Sequence, residues 1–453
     1  MNKSIQETHA DVTHQDQSPD IGASSLTLKV HPWRSALYEE LHNRPSPIIH
    51  GNCQVAHFTV LLNDNREALH NHVVDLCKRF CVPAPGPESS CLYQDFGGFE
   101  LRWERHLEFS NFTFICPDVE PFSPDALNFI PKDWLASIPG ELVVAVQMAV
   151  VDQLPEGKDL HHWFEGQRAA GCQVADEKAQ VWTAFKLHND GFGRIVTCNQ
   201  GLTPYQTGRL VQRLFELETY RLMSLMALPV ARELGSDLGR IEEGLARLNE
   251  SISDIDDDDK DERILLQELS MLAADVERHR SNTNFRFAAS VAYHDLVHDR
   301  LDQLRETPIN GVQSLREFLE RRLTPGIKTC NSVRDRLEDL SRRIHRTTSM
   351  LRTRVELSIQ EQNQTLLSSM NRRSQLQLRL QQTVEGLSVV AIGYYILALL
   401  GIGFDGVKAA GIDTVNSDLF KGVALPLVLG AVYFGVHRVK RHITRTSRRP
   451  ESQ

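Results

Sequence analysis

Residues Leu387 to Phe404, LSVVAIGYYILALLGIGF, run for 18 positions without a charge, and nothing else in the chain limits its fold so strongly. At about 1.5 Å rise per residue they make a helix of roughly 27 Å, close to the hydrocarbon thickness of a bilayer. The expectation is a membrane span over 387–404. A second apolar run, Gly422 to Val436, is extended backwards by Leu419 and Phe420, while Lys421 can snorkel and Tyr433 can sit at the other boundary. It is read as a second span over 419–437, with an outer loop at 405–418. Together the spans would form a C-terminal two-helix transmembrane hairpin.

Orientation follows from the positive charge. Arg372, Arg373 and Arg379 precede the first span, and Arg438, Lys440, Arg441, Arg445, Arg448 and Arg449 follow the second. The connection holds only Lys408 and, at its edge, Lys421, beside Asp405, Asp413 and Asp418. The positive-inside rule then puts both termini in the cytoplasm and the chain in the cytoplasmic (inner) membrane, with 438–453 as a basic tail near anionic headgroups. Residues 1–27 are polar and lack the basic-then-apolar order of a signal peptide, so they read as a disordered cytoplasmic tail. The eight scattered cysteines read as reduced thiols in that compartment. Cys77 and Cys81 lie four apart, but only Cys91 is near, too few ligands for structural zinc.

Residues 28–200 carry mixed periods. The stretches CQVAHFTVLL, GFELRWERH, SNFTFICP, ELVVAVQMAVV and VWTAFKLHNDGFGRIVTC read as strands, the last a hairpin around Asn189, Asp190 and Gly191. Asn65 to Phe80 reads as a helix with Leu69, Val73, Leu76 and Phe80 on one stripe. This is an α+β cytoplasmic domain. From Thr203-Pro204 the pattern turns helical through 203–325. Leu238, Ile241, Leu245, Leu248, Ile252 and Ile255, then Leu265, Leu269, Leu272 and Val276, keep a three-four spacing on either side of the acidic run 256–259. That predicts a coiled-coil hairpin with a solvated acidic tip, since the run lacks the alternating ligands and glycine of a calcium loop. Residues 326–386 then form a stalk helix continuous with the first span. Its stripe is Val333, Leu337, Leu340, Ile344, Leu351, Val355, Ile359, Leu366 and Met370. One apolar seam needs a cover: the upstream hairpin, other copies of the chain, or both. A homo-oligomer through the stalk is the expectation.

Chemistry is sparse. His294 and His298 lie four apart on a helix, but the sequence HDLVH has no Glu at the second position of the pattern and no third ligand is apparent. HPWRSALYEELHNRP gathers His31, Arg34, His42 and Arg44, which can bind an anion or fix the start of the domain to the body; the latter is preferred. The stalk arginines alternate with Asp335, Glu338, Asp339 and Glu356 and lack interleaved aromatics, so nucleic acid is not expected as a partner. No Walker loop, dinucleotide fingerprint or nucleophile elbow occurs. No catalytic, cofactor or metal residue is assigned, and the chain is not read as an enzyme.

HPWRSALYEELHNRP, RRLTPGIKTC and LRTRVELSIQEQNQTLLSSMNRRSQLQLRLQQTVEGLSVVAIGYY resemble a bacterial family of uncharacterised membrane-anchored proteins with a domain of unknown function. The resemblance implies a membrane anchor and brings no activity or catalytic residues with it. The order of parts is also similar to that of CorA-type magnesium channels, whose stalks assemble and whose first spans line a pore. Where those channels carry Gly-Met-Asn, this chain has Gly401-Ile402-Gly403-Phe404-Asp405-Gly406, so their selectivity does not transfer. The expected function is a membrane-anchored, oligomeric, cytoplasm-facing scaffold with an unknown protein partner. The alternatives are an oligomeric cation channel and an enzyme with an unrecognised site in 28–200.

Overall fold

The computed structural model describes residues 31–34, 37–38, 46–62, 66–154, 158–253, 259–409 and 417–446. These fall into two compact units, one ending at 249 and resuming over 269–345, the other formed by 250–268 and the residues from 346 onward. The predicted tail 1–27, residues 256–258 of the acidic tip and half of the predicted outer loop (410–416) lie outside the described residues.

The first unit is built on one nine-stranded sheet. Its strands are β1 (Cys53–Leu61), β2 (Cys91–Asp95), β3 (Glu100–Arg105), β4 (Phe109–Pro117), β5 (Glu141–Val151), β6 (Ala170–Val174), β7 (Ala179–Leu187), β8 (Gly193–Asn199) and the short β9 (Thr307–Pro308). They lie in the order β2-β3-β4-β1-β5-β8-β7-β6-β9, antiparallel except where β5 meets β8. The longer predicted strands coincide with β1, β3, β4, β5, β7 and β8; β2, β6 and β9 are additional.

Alternation along β1 explains the layers, because successive side chains point to opposite faces. Ala56, Phe58 and Val60 join Leu101, Trp103, Phe112 and Phe114 under helix α1 (Arg66–Arg79), which contributes Leu69, Val73 and Leu76. The opposite face is covered by α4 (Pro204–Leu225), whose Leu210, Val211, Leu214 and Phe215 meet Val55, Val146, Met148 and Ile195. Short helices α2 (Lys132–Ala136) and α3 (Lys158–Trp163) complete the loops around β5. At Gly208 a Cβ would run into the Pro47 carbonyl, so the backbone at Pro47 and Ile48 lies against α4 where only glycine leaves room.

The same core takes in Val297, Leu301 and Leu304 from α6 (Asp259–Leu304), Leu315 and Leu319 from α7 (Leu315–Arg322), and Ile327 from α8 (Thr324–Ala409). The sheet's unit therefore does not end near residue 200: a sheet with two apolar faces needs two covering layers, and the second comes from later helices. Between α5 (Ala227–Ser253) and α6, Asp237 Oδ2 lies 3.9 Å from His279 Nε2, and a Cβ on Gly244 would lie 3.6 Å from Leu272. Seven residues forward on α5 is seven back on α6, as in helices that run antiparallel. Arg336 of α8 clamps Glu242 of α5 with bonds of 3.1 and 2.8 Å. Val333, Leu337, Leu340 and Ile344 are all buried within the single chain. The first half of the predicted stalk seam thus has its cover and does not need a second copy.

In the second unit, Arg354 of α8 binds the buried Glu262 at 2.8 Å and the Ile252 carbonyl at 3.3 Å. From Ile359 to Val384 every residue of α8 is exposed. The helix continues to Ala409, five residues past the predicted end of the first span. Helix α9 (Ser417–Thr446) contains Pro426, which removes one backbone donor.

Candidate functional site

The residues singled out by pattern are met in different ways. His294 and His298 do come together, Nε2 to Nε2 at 3.3 Å. Burial, then the neighbouring His298, holds His294 below the ordinary imidazole range. Among the described residues no group of three possible ligands forms around them or anywhere else. His31 and Arg34 lie on an exposed segment with local contacts: the Trp33 amide donates to His31 Nδ1 at 3.2 Å, and the Arg34 guanidinium lies 5.3 Å from the Tyr38 ring centre. Trp33, Leu37 and Tyr38 are exposed, so this part of the cluster does not pack on the body; His42 and Arg44 lie outside the described residues. All eight cysteines are free thiols, and burial pushes Cys53 up to about 12.

A polar layer lies where α4 crosses β1, β4 and β3. Strand register places His57 opposite Thr113, and Thr59 opposite Asn111. His57 Nδ1 is 2.8 Å from Thr113 Oγ1, and its Nε2 is 3.2 Å from Thr219 Oγ1 on α4. Thr59 donates to Asn111 Oδ1 at 2.8 Å. The imidazole stacks on Phe215 at 4.6 Å between centroids. Burial, then Arg102, lowers its pKa to about 3, so it is neutral at physiological pH and is no proton donor there. Arg102 and Glu104 form a buried pair at 2.7 Å beside it. The cavity among these groups measures about 10 Å³ at the water centre, room for about one water. The layer fixes α4 to the sheet and is too closed to hold a substrate.

A second concavity is open and basic. It is lined by the β6–β7 turn (Ala175, Asp176, Lys178), the start of α4 (Leu202, Gln206, Arg209, Leu210, Arg213) and the end of α6 (Gln303, Leu304, Arg305), and holds about 160 Å³. Ala175, Asp176 and Glu177 all have φ between 54° and 64°, so the turn is tight, and the Ala175 amide donates to the Leu304 carbonyl at 3.0 Å. Arg305 pairs with Asp176 at 2.7 Å, both well exposed. Arg213 donates to the Gln303 carbonyl at 3.5 Å. Burial, then the neighbouring Arg209 and Arg300, lowers its pKa, which reports cations crowded together. Four cations thus line the cleft against one carboxylate. No motif announces them, because they come from three elements and span positions 178 to 305.

The third feature is apolar surface. Leu387, Tyr394, Tyr395, Leu399 and Ile402 on α8 and Val423, Leu427 and Phe434 on α9 are exposed together, whereas most large apolar side chains of the sheet are covered, with Tyr93, Leu142 and Leu187 exposed at strand ends and on an edge strand. Among the described residues one helix is long and apolar enough to cross a membrane, and Gly422–Arg438 is a shorter apolar stretch. A Cβ on Gly393 would lie 2.7 Å from Leu429 Cδ2, so α8 and α9 touch closely there.

No curated protein and no solved structure matches the chain. The model of a family described as "Protein of unknown function (DUF3422)" matches residues 29–443.

Proposed function

Since the chain belongs to the DUF3422 family, whose description names no activity, we propose its role from its own surfaces: a membrane-anchored, homo-oligomeric protein that presents its α+β body in the cytoplasm as a binding scaffold. The observation that carries this is the exposed apolar run Leu387–Ile402 at the end of one continuous helix. Leaving such a surface in water costs roughly 25 cal/mol for each Å², and a bilayer removes that cost. The close approach at Gly393 supports pairing of α8 with α9 as two spans, because small residues let helices approach in lipid. Basic residues before Leu387 and after Val436 support cytoplasmic termini. Self-association is assigned to the exposed stretch Ile359–Val384, and the coiled-coil pairing of α5 with α6 stays within one chain. The order of parts like that of CorA channels leaves cation conduction as the alternative, and nothing among the described residues favours it.

Alkaline carbonate extraction of membranes bearing the full chain tests the anchor. The protein is expected in the pellet and, once in mild detergent, at a size above the monomer. Release into the supernatant, or a monomer in detergent, removes the corresponding half of the reading. In liposomes no divalent-cation flux is expected; a reproducible flux would favour the channel.

A further inference from the structure

We infer that the cleft between the β6–β7 turn, the start of α4 and the end of α6 is a binding site for a small polyvalent oxyanion of the phosphate class. This goes beyond the anchoring role and does not depend on it. Among the described residues the Lys178 and Arg209 side chains have neither a hydrogen bond nor an ion pair, although each lines a concavity with two more arginines. Like charges gathered around a hollow repel, and Arg209 and Arg305 of the cleft add to the burial that lowers the pKa of Arg213. A bound dianion relieves the repulsion. Guanidinium groups match phosphate oxygens with paired, charge-assisted bonds, and lysine adds a mobile point charge.

Size and lining narrow the ligand class. Drug-sized molecules occupy pockets of roughly 300 Å³ and above with mainly apolar walls, whereas this cleft holds about 160 Å³ and its apolar part is limited to Ala175, Leu202, Leu210 and Leu304. No aromatic ring lines it, so it offers no surface on which a base can stack. Phosphate or pyrophosphate fits, either as a free ion or as the head of a larger molecule. Asp176 is the one group of the wrong sign, and it is held aside by Arg305.

The test is calorimetric titration of the detergent-solubilised full chain with inorganic pyrophosphate. Saturable binding is expected, weakening as ionic strength rises. Arg209→Gln and Lys178→Gln each remove an unpartnered exposed cation and are expected to weaken binding roughly ten- to hundredfold. Asp176→Asn is expected to tighten it, and asparagine tolerates the positive φ of that turn. A tightening cannot come from damage to the fold. Repeating the titration in phosphatidylcholine vesicles with and without phosphatidate separates the sources: competition by the lipid identifies a headgroup, and its absence a free ion. No saturable pyrophosphate binding, or binding that all three variants leave unchanged, overturns the inference.

Discussion

Strand β1 and the stretch Ile359–Val384 of α8 stand at opposite extremes of burial. Eight of the nine residues of β1 are buried, including a histidine, a glutamine and a threonine. In the helical stretch even Leu366, Leu367, Met370 and Leu380 are exposed. Composition is part of the difference, since six of the nine residues of β1 are apolar against eight of the 26 in the helical stretch, but the apolar residues of the helix are exposed too. The strand's alternation gives two faces, each met by a helical layer, and its polar side chains find partners in register. The helix carries a single narrow seam, and the described chain supplies nothing to lie on it. Hydrophobic content and cover together separate the two regions.

The largest effect is expected in the sheet. Trp103 is fully buried, and its indole N–H donates to Ser110 Oγ at 2.8 Å. Trp103→Ala is expected to cost about 3–5 kcal/mol, measured by urea denaturation of the solubilised protein, because the cavity it leaves opens within the buried core it shares with Phe112, its cross-strand partner, Phe114 and Trp134, which cannot collapse fully. A cost under about 1 kcal/mol would break the contrast at its buried end.

What could be read in advance follows the same division. The long strands were legible because Val, Phe and Ile alternate with polar residues, and α1 because its apolar residues recur at helical spacing. Strands β2 and β6, CLYQD and AGCQV, are short and weak in β-branched residues. Gly171 in β6 reads as a breaker, yet it is required because a Cβ there would lie 2.5 Å from the Trp182 ring. The seam Val333–Ile344 was legible as apolar, while what covers it was not, since periodicity does not say whether the partner is the same chain. His294 and His298 met as their spacing implied. The basic cleft was invisible because Lys178, Arg209, Arg213 and Arg305 converge only through the fold. The polar layer around His57 and Thr59 was not legible either, because their partners lie on β4 and, for Thr219, more than 150 residues away.

A middle-sized effect is expected from that polar layer. His57 titrates near 3 when folded against 6.5 for the free group, so between these values the unfolded chain binds more protons. Stability is then fully present above about pH 6.5 and falls as the pH drops, by roughly 1 kcal/mol per pH unit for this one group. His72, His188 and His294 are lowered too, in the same direction. Urea denaturation of the native chain and His57→Gln between pH 6.5 and 5 isolates the His57 share. The variant loses hydrogen bonds and is less stable throughout, but its dependence on pH is expected to be shallower. Equal slopes would mean that His57 is solvated, and the layer would then not be a closed counterpart to the exposed helix.

The smallest effect on stability carries the most information about the exposed region. Leu337 belongs to the apolar seam but is buried, so a charge there would unfold the chain and report nothing about association. Leu366 and Met370 continue the same seam four residues apart, and both are exposed. Replacing both with glutamine keeps helix propensity and removes only apolar surface, so the denaturation energy of the single chain is expected to change by less than about 0.5 kcal/mol. If copies of the chain cover this seam, the same variant lowers the oligomer size in detergent, because each copy loses its apolar contacts along the shared stripe. Light scattering after size-exclusion chromatography reads this directly. A smaller assembly with unchanged single-chain stability locates self-association between Ile359 and Val384. An unchanged assembly means that the seam stays open in solution or is met by a different protein, and the homo-oligomer then has to be held elsewhere.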